Sequence, residues 1–143
     1  MGQCEALAGK KGLVVGIAND KSIAFGCARA FRDAGADLAL TYLNEKAKPH
    51  VEPLSDALEA DLFLPCDVRE PGQIEALFKG IEDQWGKLDF LLHSVAFAPR
   101  EDLHGRVIDS SLDGFNMAMN VSCHSFMRMA KTRRTTDDKT AAR

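Results

Sequence analysis

The sequence predicts an α/β fold: a doubly wound parallel sheet, incomplete at four strands in the order 3-2-1-4, with flanking helices. Three observations carry that prediction. Four short apolar runs, around Leu13, Leu38, Phe63 and Leu91, have strand length. Helix-forming stretches separate them. The first run closes on Gly16, as a buried parallel strand does when it turns into its crossover. Length and composition agree, since 143 residues suit one domain, and 45% hydrophobic with 27% charged residues excludes wholesale disorder and fibrous repeats.

Gly12-Leu13-Val14-Val15-Gly16 reads as the first strand, and Ile17 to Lys21 as a polar loop. Apolar positions Ile23, Cys27, Ala30, Phe31 and Ala34 predict a helix that Gly35 stops. Asp37 to Tyr42 is the second strand. Glu45 to Glu59 is polar and helix-forming, with Pro49 and Pro53 expected to interrupt it. Asp61 to Pro65 is the third strand, and Pro71 suits the first turn of the next helix. That helix carries the stripe Ile74, Leu77, Phe78, Ile81 and Trp85 and ends at Gly86. Leu88 to His93 is the fourth strand. Further on, Leu112, Phe115, Met119, Ser122, Phe126 and Met129 predict two helices or one bent one, with Met117, Met119, Met127 and Met129 as packing residues. This is a Rossmann-like rhythm. Right-handed crossovers leave a crevice between the first and fourth strands, where a ligand is expected.

Residues 1–130 make up this partial dinucleotide-binding domain, and residues 131–143 a basic tail. The tail holds five basic and two acidic side chains, against 13 basic and 19 acidic in the body. An acidic body repels nucleic acid. The tail lacks large apolar residues, so it is expected to have no order of its own. Two origins stay open for it, an out-of-frame ending or a genuine basic extension with a binding role. Four separated cysteines, no leader and no membrane-length apolar run suggest a cytoplasmic protein with reduced thiols. His50, His93, His104 and His124 share no ligand spacing, so no metal is expected.

The crossover from Gly16 to Gly26 reads G-I-A-N-D-K-S-I-A-F-G, without the middle glycine of G-x-G-x-x-G. Gly16 permits a tight turn, Ser22 stands at the cap position, and free N–H groups near Ile23 would face the crevice. A pyrophosphate would suit that mouth. An ordinary strand-to-helix turn would need only the glycine and the cap, so spacing alone leaves both readings open.

Residues 12–24, Gly-Leu-Val-Val-Gly-Ile-Ala-Asn-Asp-Lys-Ser-Ile-Ala, resemble the opening of the bacterial enoyl-acyl-carrier-protein reductases, a divergent branch of the short-chain dehydrogenase/reductases. Leu40-Thr41-Tyr42, Cys66-Asp67-Val68 and His93-Ser94-Val95-Ala96-Phe97-Ala98-Pro99 agree with it in order and spacing. The similarity runs from about Gly9 to Ala130, roughly the first half of such an enzyme.

The resemblance implies a cofactor, NADH, and a substrate, a trans-2-enoyl thioester on acyl carrier protein in type II fatty acid synthesis. It implies that Gly16, Ser22 and Ile23 line the pyrophosphate and nicotinamide side, and that Asp67 and Val68 hold adenine. Leu43 and Val95 would meet the adenosine ribose; Phe97 and Ala98 would border the thioester. Asp67 could equally be a plain turn residue. Neither Leu43 nor Asn44 is basic, which favours NADH over NADPH, although Lys46 is near.

In the family, a tyrosine hydroxyl stabilises the enolate and a lysine holds the nicotinamide ribose, in a Y-x6-K motif after the fifth strand. The one tyrosine here is Tyr42, at the wrong strand end. No catalytic residue is therefore assigned, the chain reads as truncated before the catalytic pair, and no turnover is expected from it alone. The alternatives are a non-catalytic nucleotide-binding fragment that pairs with a complete subunit, or a different short-chain dehydrogenase. Family members form homo-oligomers, which the missing surface puts in doubt here. The fourth strand, without a neighbour, would expose Phe90, Leu91 and Leu92 and leave the monomer marginally stable.

Overall fold

Strands with no polar face need cover on both sides, and the sheet obtains it. In the computed structural model, which describes the backbone of residues 5–141 and the side chains of residues 5–133, four strands align in parallel. They are β1 (Lys11–Val15), β2 (Asp37–Tyr42), β3 (Leu62–Pro65) and β4 (Phe90–His93), in the order β3-β2-β1-β4. The register sets Val14 opposite Leu40 on one side and Leu92 on the other. The sequence-predicted sheet is the observed one.

Alternation along the strands divides the core in two. Val14, Leu38, Leu40 and Tyr42 face helices α1 (Ile23–Asp33) and α2 (Lys48–Ala57). Leu13, Val15 and Ala39 face α3 (Gln73–Trp85) and α5 (Ser125–Ala141). The α3 stripe packs as its spacing predicts: Ile74, Leu77, Phe78 and Ile81 are buried, and the half-buried Trp85 indole donates to Asp61 at 3.0 Å. Pro71 lies outside α3, ahead of a Gly72 cap with φ of 82°.

The other helices correct the sequence reading. In α1 the buried residues are Ala24 and Ala28, with Phe25 and Phe31 packed beside them. Ile23, the first residue of the helix, is 81% exposed, because the face that docks on the sheet is the one carrying Ala24 and Ala28. Pro49 and Pro53 do not interrupt α2. Pro49 sits in the first turn, where an amide would be unbonded anyway, and burial of Val51 and Ser55 against the sheet offsets the bond that Pro53 removes. Glu59, at φ 49°, ends that helix with its N–H on Asp56 and the Ala60 N–H on Ser55.

The final helical region is one rod bent by a π turn: α4 (Leu112–Met119), the turn Asn120–His124, then α5. The extra residue in that turn rotates the buried face onto Val121, Ser125 and Met129. Leu112, Phe115, Met119 and Phe126 are consequently exposed, against expectation, and of the four methionines only Met129 is buried. Where the sequence predicted a tail without order from Lys131, the backbone continues as α5 to Ala141. Extending an already docked helix needs no new nucleus, and the Arg133 guanidinium pins this one to the Leu88 carbonyl at 2.9 Å. Residues 142–143 lie outside the described residues, as does Cys4; Cys27, Cys66 and Cys123 are free thiols.

α5 is held to β4 by a polar contact, His93 Nε2 to Ser125 Oγ at 2.7 Å. The Ser125 hydroxyl donates to the Val121 carbonyl at 2.7 Å, so His93 must be the donor. Burial holds His93 below the usual imidazole range. The unfolded chain therefore takes up the proton first, and the contribution present above about pH 6.5 is lost as pH falls further. Urea midpoints should drop between about pH 7.5 and about pH 5.5, and drop less in His93→Gln. Equal slopes would sever His93 from that dependence.

Candidate functional site

The C-terminal ends of the four strands surround a cavity of about 270 Å³. Gly16 forms its floor beside the end of β1. Its φ is +112°, and a Cβ there would sit 2.0 Å from the Ser94 carbonyl oxygen. Only glycine lets the first crossover lie this close to the loop after β4.

Ser22 occupies the cap position of α1 without capping it. Its hydroxyl donates to the Asn19 carbonyl at 2.7 Å and makes no side-chain cap bond. The Phe25 and Gly26 amides bond to the Ser22 carbonyl. The Ile23 and Ala24 amides come too early in the helix for any intrahelical partner, so they remain donors at its mouth.

Across the cavity stands Asp67, 7% exposed. Its N–H donates to Gln73 Oε1 at 2.7 Å. Arg69 grips its carboxylate in a fork, Nε to Oδ1 at 3.0 Å and Nη2 to Oδ2 at 2.7 Å, while the Arg69 amide reaches Oδ1 at 2.9 Å. Those bonds hold the Asp67 carboxyl below the usual carboxylate range. Val68 is buried, and its carbonyl accepts from the Arg128 guanidinium of α5. Cys66, beside them, is buried, and that burial pushes its thiol up to about 11.

The remaining wall comes from the loop after β4. Val95 packs on the core, and Phe97 borders the cavity with 42% exposure. Ser122, in the π turn, clamps the Phe97 backbone, accepting from its N–H at 3.0 Å and donating to its carbonyl at 3.2 Å. The Arg69 guanidinium lies 5.4 Å from the centre of the Phe97 ring.

The fold thus brings Gly16, Leu43, Asp67, Val68, Val95 and Phe97 around one cavity. Ser22, Ile23 and Ala98 lie outside its lining, the first two at the α1 mouth. Sequence reasoning missed Arg69, Ser122 and Arg128. The carboxylate-to-guanidinium spacing of Asp67 and Arg69 was a usable signal for the first; the other two reach the site from a distant helix.

A family model described as enoyl-(acyl carrier protein) reductase matches residues 16–140. Enoyl-[acyl-carrier-protein] reductase [NADH] 1 of Rhizobium meliloti is 43% identical over 122 residues, 85% of this chain and 45% of that protein. The Aquifex aeolicus enzyme is 41% identical over 125 residues, 87% of this chain and 46% of its own. Among solved structures, the Anaplasma phagocytophilum reductase, crystallised in complex with NAD, superposes with a TM-score of 0.87 at 43% identity, covering 91% of this chain and 50% of that one. The chain spans about half the length of the curated relatives it matches. With its sheet order, its crossover at Gly16 and this match over most of its length, the chain belongs to the enoyl-acyl-carrier-protein reductase family.

Proposed function

We propose that this chain forms the dinucleotide-holding part of an NADH-dependent enoyl-acyl-carrier-protein reductase of fatty acid synthesis. One observation carries the reading: a cavity at the strand ends is lined by Gly16, a glycine whose place no other residue could take, and by the start of the crossover that leads from it to the free amides of α1. The fit favours a dinucleotide. The Gly16 turn and the Ile23 and Ala24 amides receive the pyrophosphate, with Ser22 beside them. Val68 and Val95 take the base and sugar, Asp67 faces the exocyclic amine, and Leu43 meets the ribose. Phe97 and Ala98 border the thioester. Bound NADH supplies a hydride to the double bond of the enoyl thioester.

Charge at the tip of β2 favours NADH over NADPH, since Leu43 and Asn44 carry none and Lys48 turns over the Tyr42 ring, 5.4 Å from its centre. Tyr42 itself is 7% exposed, among the residues that face α1 and α2, with its hydroxyl 3.3 Å from Glu45. It offers no acid to a developing enolate. The 143-residue chain should therefore bind NADH saturably in calorimetry yet leave NADH absorbance constant with a crotonyl thioester. Absence of binding would refute the cofactor reading, and turnover at an ordinary rate would refute the lack of a catalytic acid.

A second reading, a fragment that pairs with a complete subunit, is favoured by the exposed apolar residues Leu112, Phe115, Phe126 and Met127 on α4 and α5. Co-purification with a full-length reductase tests it. No helix of the described residues is long and apolar enough to cross a membrane.

A further inference from the structure

In the binding reading above, the base of the dinucleotide lies by Val68 and Val95, with Asp67 facing its exocyclic amine. A bare carboxylate at that place accepts from a 6-amino group and repels a 6-oxo group, so it would select adenine sharply. Here the carboxylate is not bare. Arg69 donates an N–H to each Asp67 oxygen and lines the same cavity as Asp67. A guanidinium carries five N–H donors, so the fork leaves others free to face a ligand. Asp67 is nearly buried while the Arg69 side chain is 43% exposed, which leaves the arginine as the group a base meets first.

We propose that Arg69 is a specificity-determining residue that makes the base seat accept a 6-oxo purine as well as adenine. A 6-oxo base accepts from the free guanidinium N–H groups, whereas adenine turns its amine to the remaining lone pairs of Asp67. This inference rests on the dinucleotide reading, and it concerns only which base is tolerated.

The test compares NADH with its hypoxanthine analogue by calorimetry on the full chain and on Arg69→Met. The unsubstituted chain should bind the two within about threefold. Arg69→Met should separate them by tenfold or more in favour of NADH, because the 6-oxo group then faces an unscreened carboxylate (about 1.4 kcal/mol per tenfold). Arg69→Lys, which restores a cationic donor without the planar fork, should fall between them and covers the case in which the methionine variant does not fold. Binding of both dinucleotides with the same ratio in every variant overturns the role of Arg69 and leaves the cofactor reading intact. Failure of both dinucleotides to bind the unsubstituted chain overturns the cofactor reading and this inference with it.

Discussion

Gly16→Val should cost the chain about 3–5 kcal/mol of stability and remove NADH binding. Two penalties combine. A β-branched residue at φ +112° is strained by about 1–3 kcal/mol. Its Cβ would also stand 2.0 Å from the Ser94 carbonyl, a backbone atom that moves only if β4 shifts away from β1. Gly9→Ala separates the two effects, since Gly9 has φ +71° with open space around its missing Cβ, and it should lose only about 1 kcal/mol. Urea unfolding of both variants checks the difference, and calorimetry with NADH checks binding. Equal losses in the two would show that backbone strain alone decides, and that close contact between the crossover and the Ser94 loop is not required.

Met129→Ala should remove about 2–5 kcal/mol, the range for emptying a fully buried large side chain. Met129 is completely buried on α5 against the face that holds Leu13, Leu77 and Phe78. The consequence reaches the site because the same rod supplies Ser122 to the Phe97 backbone and Arg128 to the Val68 carbonyl. Unseating it loosens both cavity walls at once. β4 is an edge strand whose Phe90, Leu91 and Leu92 are only half-buried, so little else compensates on that side. The expected readout is a lower urea midpoint with weaker NADH binding in the fraction still folded. Phe115→Ala is the control: that side chain is 58% exposed, and its loss should change stability by under about 0.5 kcal/mol. A Met129 variant as stable as the control would show that α5 does not brace the cavity.

Much of the fold was legible because period and punctuation are local properties. Short unbroken apolar runs closed by glycine, such as Leu13-Val14-Val15-Gly16, read as strands covered on both faces, and the α3 stripe marks a single buried face. Handedness of the crossovers then orders the strands. Reading failed where neighbours outvote local preference. The α1 stripe was misread because the face of a helix that docks is decided by its neighbours, and in α1 that face carries Ala24 and Ala28 rather than Ile23. The last rod was misread because a π turn shifts the phase by one residue, and no fixed period anticipates that.

By itself, then, the sequence determined the sheet order and the crevice between β1 and β4, since both follow from short-range sterics and chain chirality, whereas the need for glycine at position 16 came from the Ser94 carbonyl that the fold brings against it. Tertiary structure alone decided how the walls are armed: Arg69 turned back on Asp67 and out to Phe97, Ser122 on the Phe97 backbone, Arg128 on Val68. Hydrogen bonds and ion pairs across long chain separations depend on where whole elements dock, and docking is set by the sum of two hydrophobic faces rather than by any one segment.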